Sequence, residues 1–594
     1  MKPFALFILF LTFGLHSSAQ NFQLKLIGSS KSEIKTLDSL DYTKKHKNLK
    51  SIADELTATS EKLSKMGYFE NRILENAKEN DSSYVAKFNL GEKINSIHMY
   101  ISRKNLAPTH PHPNPLESKV GNKGEGVETE MDNTIIKYLI GLDKKKDTLI
   151  MPYGEIETFL SNTLQKLERK GFAFAKLKLI NIKIIDRSLY ADLQFESGQQ
   201  RQLNSIVVQF AERDKKKNFP EGHLTQVNRK YRNSTFNQDI VRQIHTDFEK
   251  FRFVSQVKFP EILFTKDTTK VYVYLEKRKS NTFDGFIGFS NNETNKIRLN
   301  GYLDVILENT LKVGEQFSLY WKSDGNNQKT FKTGIELPYL FKSPLGLKAQ
   351  IQIFKQDSIF QNTQTAIDLG YYIDYNTRIY LGYQATESSD IQNSNNKTVS
   401  DYKNSFFTST VKYSKFDYDN STFPEKSSLS STVGIGKRIT NDSPETIGTN
   451  KQFYIKLDVL HIFYLNPKNS LNINSRTNFL NSDTYVINEL FRFGGSNSIR
   501  GFTENSLQAN FMTALQTEYR YAVSPSLYIH SIIDYSYYQD DSSKNKGNLI
   551  GLGIGLGLST KNGLLKLAFA NGSFTNQEMK FYNTIVHLNY SIKF

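Results

Sequence analysis

GNLIGLGIGLGLSTKNGLLKLAFA (residues 547–570) and the closing NTIVHLNYSIKF (583–594) carry the pattern that decides the fold. In the closing segment Val586, Leu588, Tyr590, Ile592 and Phe594 alternate with His587, Asn589, Ser591 and Lys593. Successive side chains of a strand point to opposite faces, so this strand has one apolar and one wet face. In the earlier segment Ile550, Leu552, Ile554, Leu556 and Leu558 alternate with Gly551, Gly553, Gly555 and Gly557. Leu565, Leu567 and Phe569 then stand opposite Lys566 and Ala568. Glycine weakens a strand interior and marks a bend or the close approach of another segment.

The same period of two extends back to about residue 281. The 314 residues from there onward divide into sixteen strand candidates of about 20 residues with their loops, and a membrane-spanning strand needs roughly 9–11. The wet face includes charges, which a water-filled lumen accepts and a sandwich core does not. Tyr320, Trp321, Tyr371, Tyr372, Tyr535 and Tyr537 suit interfacial girdles, where a ring lies half in hydrocarbon with its polar tip in water. The prediction is an all-β, 16-stranded, antiparallel transmembrane barrel over 281–594. A soluble β-sandwich or solenoid is the competing architecture.

Before the barrel, strands mix with amphipathic helices in a recurring unit. LKSIADELTATSEKLSKMGYFENRI runs into Gly67, Tyr68 and Phe69, and YGEIETFLSNTLQKLERKGFAFAKL places Gly171 and Phe172 correspondingly. FNQDIVRQIHTDFEKFRFVSQV has Arg252 and Phe253 there instead. Glycine after the last turn permits a left-handed cap, and the aromatic beside it can fold back on the helix and sheet. The reading is three α+β modules of strand-helix-helix-strand-strand type: 20–96, 97–202 with a Pro/Lys-rich insertion, and 203–280. Three unrelated α+β folds sharing capping chemistry is the alternative. Residues 1–19 read as a secretory signal peptide: Lys2, then about ten mostly apolar residues, then Ser17 and Ala19 before the cut.

Composition removes other classes. No apolar run beyond the N-terminal one reaches the roughly 18 residues a spanning helix needs. With no cysteine there are no disulfides, thiolate zinc sites or cysteine nucleophiles. A chain with 32 Tyr and 42 Phe but a mean hydropathy of -0.49 must bury or wet many rings. His110 and His112, set among prolines, lack the further ligands of a zinc site. GNKGEG at 121–126 lacks the strand-before, helix-after context of a phosphate loop. Without GxSxG or HExxH either, the expectation is a non-enzyme with no catalytic residues, metal or cofactor. The net charge of +16, with lysine clusters at 144–146 and 215–217, reads as solvated loop charge, with contact to anionic headgroups an option and nucleic acid not.

Between the eleventh and twelfth strand candidates lies NELFRFGGSNSIRGFTENSL, residues 488–507. FRFGGSNSIRGF resembles the loop signature of the BamA/TamA superfamily of outer-membrane assembly and translocation barrels, also known as bacterial surface antigen barrels. There an invaginated sixth extracellular loop carries a (V/I)RG(F/Y) tetrad. Here the tetrad is Ile499, Arg500, Gly501 and Phe502, preceded by Gly494 and Gly495. FDYDNSTFPEKSSLSSTVGIG, with Ser427 where glycine is usual, and ELPYLFKSPLGL also resemble family segments, and the upstream modules resemble periplasmic POTRA domains. Three modules make the layout nearest to TamA.

The resemblance implies that Arg500 pairs inside the lumen with Glu518 and Asp534, both on the wet parity of their strands. Arginine's planar fork suits carboxylate geometry. Phe502 is expected to wedge against a wall poor in glycine. The resemblance further implies a lateral seam between the first strand, with Phe283, Gly285, Phe286 and Gly288, and the sixteenth, with His587, Tyr590 and Phe594. A client strand would pair with the opened edge. The implied partners are unfolded outer-membrane or secreted clients, a periplasmic protein on the POTRA-like modules, and outer-membrane lipid. The implied location is the bacterial outer membrane with the modules in the periplasm. A dedicated two-partner secretion transporter and a passive porin or receptor are the alternative functions.

Overall fold

The computed structural model describes residues 22–101, 148–211, 219–291, 297–323, 328–392, 399–420, 422–443, 446–561, 563–574 and 577–594. The signal-peptide reading, His110 and His112, the 121–126 glycine run and both lysine clusters lie outside the described residues. Among the described residues no helix is long and apolar enough to cross a membrane. The chain divides into two compact units: residues 1–202 with 234–239, and 203–233 with 240–594.

The first unit holds two α+β modules. In one, Phe22–Gly28 runs parallel to Ser83–Asn89, which pairs antiparallel with Arg72–Asn80 on its other side. Helix Leu49–Lys65 starts where the Asn48 side chain accepts the Ser51 N–H at 2.8 Å. Its Ile52, Leu56, Thr59 and Leu63 recur every three to four residues and are buried, the three aliphatics with Leu24, Leu26 and Phe88 in one core. The helix ends at Gly67, whose φ of +102° lets the Tyr68 N–H reach the Leu63 carbonyl at 3.0 Å while the Tyr68 ring packs on that core. The second module repeats the plan, with Ser96–Tyr100 parallel and Lys176–Ile185 antiparallel to Ser188–Glu196. Gly171 (φ +92°) and Phe172 repeat the cap on helix Ile156–Arg169.

The second unit begins with a third sheet, Ser205–Phe210 parallel to Thr269–Lys277, with Val254–Gln256 and Glu261–Phe264 antiparallel on the other side. Phe253 stands where the glycine-aromatic pair stood, and its ring joins Phe219 and Phe251 in an aromatic cluster.

Sixteen antiparallel strands then close into a barrel in sequence order, from Thr282–Asn291 to Ile585–Lys593. Ile367, Leu381, Phe407, Ile435, Ile554 and Val586 are exposed on its outside. The girdle reading needs a correction from parity. Tyr371 is exposed, but its neighbour Tyr372 must face the lumen, where its hydroxyl donates to Glu336 at 2.7 Å. Tyr320 likewise lines the lumen, opposite in direction to Trp321.

The third module is tied to the barrel within this unit. Arg252 donates to Glu308 at 3.1 Å and lies over the Phe416 ring, Lys250 donates to Asp374 at 3.3 Å, and the Arg278 guanidinium sits 3.6 Å from the Tyr418 ring centre. His223 is fully buried among Phe251, Phe253, Tyr339 and Tyr375, and neither ring nitrogen has a hydrogen-bond partner. Burial, reinforced by the nearby Arg378 charge, pushes its pKa down to about 3.

Candidate functional site

The segment joining the eleventh strand, Asn469–Ser482, to the twelfth, Phe511–Ala522, folds into the lumen. Its base is a short hairpin, Phe491–Phe493 with Leu507–Ala509. At the tip Gly495 bridges Ile499, and the Gly494 N–H donates to Ser498 Oγ at 2.7 Å. Gly494 and Gly495 hold φ of +110° and +87°, values that L side chains rarely adopt. Ile499 is fully buried with Phe493, Ala509, Met512 and Leu549, so the loop brings its own apolar core into a wet barrel.

Arg500 is 6% exposed and meets both carboxylates that the sequence placed on the lumenal parity. Nε donates to Asp534 Oδ2 at 2.8 Å and one terminal nitrogen to Oδ1 at 2.6 Å, a bidentate fork. The other terminal nitrogen pairs with Glu518, and the Arg500 backbone N–H adds a 3.0 Å bond to Asp534. Asp534 is 1% exposed. A carboxylate buried so deeply requires a charged partner, since an uncompensated one costs several kcal/mol.

The wall facing this loop is rich in glycine, which corrects the expectation for Phe502. A Cβ on Gly572 would lie 2.5 Å from the Phe502 ring, and one on Gly551 would lie 2.3 Å from the Arg500 carbonyl oxygen. A Cβ on Gly501 itself, at φ +90°, would lie 2.3 Å from the Gly572 nitrogen. Of the alternating glycines of the fourteenth strand, Gly551 is the one the loop approaches, while Gly555 and Gly557 leave room for the His530 and Tyr528 rings. Phe502 completes the contact edge-on to Phe574, centroids 5.8 Å apart.

Several residues outside the sequence reading also hold the loop. Arg438, 1% exposed on the ninth strand, pairs with Glu489 and donates to Thr484 Oγ1 at 2.8 Å. Asn488 donates to Ser388 Oγ at 2.7 Å and to the Ser400 carbonyl at 2.8 Å. Glu504 pairs with Lys322 at 3.2 Å. Arg520 donates to Glu518 Oε2 at 2.8 Å, so Glu518 sits between two guanidiniums. Arg438 and Glu489 were open to suspicion, since Arg438 shares the lumenal parity of Ser430 and Thr432 and Glu489 is the second residue of the motif segment.

The barrel closes through a short ladder. Among the described residues the first and sixteenth strands pair only at Thr282 with Lys593, Phe283 with Ile592 and Asp284 with Ser591, three pairs where every other junction has at least eight. Phe594 adds its N–H to the Asn281 carbonyl at 3.0 Å. Gly285, Phe286 and Gly288 pair with the second strand, and His587 and Tyr590 with the fifteenth, all beyond the closing ladder. On the lumenal side Asn589 donates to the Tyr302 hydroxyl at 2.9 Å and Tyr302 to Asp284, linking the sixteenth, second and first strands.

Residues 309–594 match the model of the Omp85 superfamily domain. Similar solved structures include BamA from Haemophilus ducreyi lacking POTRA domains 1–3, at 15% identity over 78% of this chain and 97% of that one, TM-score 0.45. CdiB from Acinetobacter baumannii is similar at 14% identity over 83% and 95% of the two chains, TM-score 0.49. POTRA domains 3–5 of BamA from Haemophilus influenzae match at 13% identity over 44% and 99%, TM-score 0.26. No curated protein matches the chain.

Proposed function

The chain belongs to the Omp85 superfamily of outer-membrane barrels, and on that premise we propose that it inserts, assembles or translocates other proteins at the outer membrane. The POTRA-like modules face the periplasm in this reading. They capture unfolded outer-membrane or secreted clients, or a periplasmic partner, on their free strand edges. The first and sixteenth strands part laterally to receive a client strand, and the chain performs no catalysis.

The observation that carries this reading is the three-pair seam. Among the described residues, the first strand beyond Asp284 has no ladder partner in the sixteenth strand. In hydrocarbon each unsatisfied group costs several kcal/mol, so such an edge favours pairing with an incoming strand. A passive pore is the weaker reading, because the loop between strands eleven and twelve occupies the lumen with a packed core of its own.

The test uses the absence of native cysteine. Phe283→Cys with Ile592→Cys places two thiols directly opposite in the closing ladder, which the Phe286 and His587 positions would not. Oxidising this pair is expected to halt client insertion into proteoliposomes, with recovery on reduction. Full insertion by a completely cross-linked protein rejects the lateral route.

A further inference from the structure

The lumen beneath the inserted loop carries cationic charge without matching carboxylates. Lys332, Lys348, Lys412 and Lys456, from the fourth, fifth, eighth and tenth strands, line one cavity of about 380 Å³. A second cavity of about 630 Å³ shares Lys332 and Lys456 and reaches the loop at Arg492 and Glu504. The two cavities therefore adjoin, and both shared lysines border each of them.

The acidic groups nearby are mostly committed. Glu336 is held by Arg378 and by the Tyr372 and Tyr380 hydroxyls, Asp368 pairs with Lys348 at 3.7 Å, and Asp458 pairs with Arg476 at 2.5 Å. At the upper end Glu489 is taken by Arg438 and Glu504 by Lys322. Lys332, Lys412 and Lys456 make no ion pair among the described residues. Asp304 is the one acidic neighbour of Lys332 that likewise makes none. Around the cavity, positive charge therefore exceeds negative by two. Like charges confined within a wall bounded by lipid repel more strongly than in open water. Gln352 and Gln364 line the same cavity with the Thr410–Thr432 pair, whose hydroxyls are bonded to each other at 3.0 Å and leave one donor free, so neutral hydrogen-bond donors accompany the ammonium groups.

We propose that this cavity binds a small soluble oxyanion with at least two negative charges, of the pyrophosphate or bisphosphate class. Lys332, Lys412 and Lys456 supply the charge, and the glutamine and threonine side chains orient the oxygens. A bound anion links the fourth, eighth and tenth strands directly under the loop. This site is independent of the seam and of the client-handling reading.

The test titrates inorganic pyrophosphate into the purified full-length protein in detergent micelles, at constant ionic strength, by calorimetry. A saturable, one-to-one isotherm is expected. Lys332→Gln and Lys412→Gln should each weaken it at least tenfold, and Lys332→Gln with Lys456→Gln should abolish it. Lys87→Gln, on an exposed face of the first module, should leave it unchanged. No saturable heat from the wild-type protein, or wild-type affinity in both single variants, overturns the proposal. Since the single variants and the wild type decide the outcome, a double variant that fails to fold does not.

Discussion

Replacing Arg500 with alanine tests whether the buried ion pairs hold the loop in place. The substitution deletes the fork to Asp534 and the contact to Glu518, leaving only the backbone bond at 3.0 Å. Glu518 keeps Arg520 as a partner at 2.6 Å, so the loss falls mainly on Asp534, which is 1% exposed. Removing one partner of a buried pair costs about 3–5 kcal/mol, or roughly two to four powers of ten in the opening equilibrium. The sixteen-strand ladder does not pass through Arg500, so the barrel should still form and insert. Hydrogen exchange in nanodiscs reads the effect at the Gly494 and Arg500 amides, both bonded to side chains in the folded loop. Exchange there should rise about 10²- to 10⁴-fold, while amides of strands twelve and thirteen stay protected. Arg500→Lys keeps the charge but not the planar fork and should fall between. Read at the Gly494 amide, whose acceptor is Ser498, Arg500→Ala with Asp534→Ala should open no more than Arg500→Ala alone, because the stranded carboxylate is gone. Protection within tenfold of wild type in Arg500→Ala would refute the anchoring argument.

Two further perturbations reach other parts of the structure. Gly572→Val and Gly551→Val place carbon where the Phe502 ring and the Arg500 carbonyl now sit, at 2.5 and 2.3 Å. Both should expel the loop without touching a charge, giving exchange like that of Arg500→Ala; loop protection equal to wild type shows that the wall yields instead. His223 has a folded pKa lowered from 6.5 to about 3, so the unfolded state binds the proton first as pH falls. Stability from this group is complete above about pH 6.5 and declines by roughly 1.4 kcal/mol per unit below it. Arg378 is the charged group facing the ring, and Tyr339 and Tyr375 pack against it. His223→Phe should flatten the decline in exchange protection of helix Glu221–Tyr231 between pH 7 and 5, and an unchanged slope would exclude His223 as its source.

The barrel was legible because strand periodicity is local: each polar residue between two apolar ones announces a face. Strand parity also placed Glu518 and Asp534 inward, and the motif supplied the arginine that reaches them. Parity misled only where two aromatics were adjacent, as in Tyr371 and Tyr372, since consecutive residues cannot both face lipid. The glycine alternation of residues 551–557 signalled close approaches but not by what: the Arg500 backbone that meets Gly551 lies about fifty residues earlier, and Gly555 and Gly557 face the His530 and Tyr528 rings of the thirteenth strand. The seam was the least legible feature. The resemblance put Gly285, Phe286 and Gly288 at the seam, whereas the closing ladder occupies only residues 282–284, a register that depends on how the entire barrel closes.

The glycine wall and the arginine fork act together. The fork can form only if the backbone at Gly501 comes within contact of the fifteenth strand, which needs bare positions at Gly551 and Gly572. Once seated, the loop is fastened to the ninth strand by Arg438 and Glu489, to the third by Lys322, and to the twelfth and thirteenth by Arg500. Its Gly501 and Phe502 lie against the fifteenth strand, one strand from the seam. Under the proposed lateral opening, the loop therefore braces the wall up to strand fifteen. The sixteenth strand keeps an eight-pair ladder to the fifteenth but only three pairs to the first. If net hydrogen-bond contributions scale with ladder length, the first junction is the one that parts. The bond from Asn589 to Tyr302 is then the lumenal contact that must break with it.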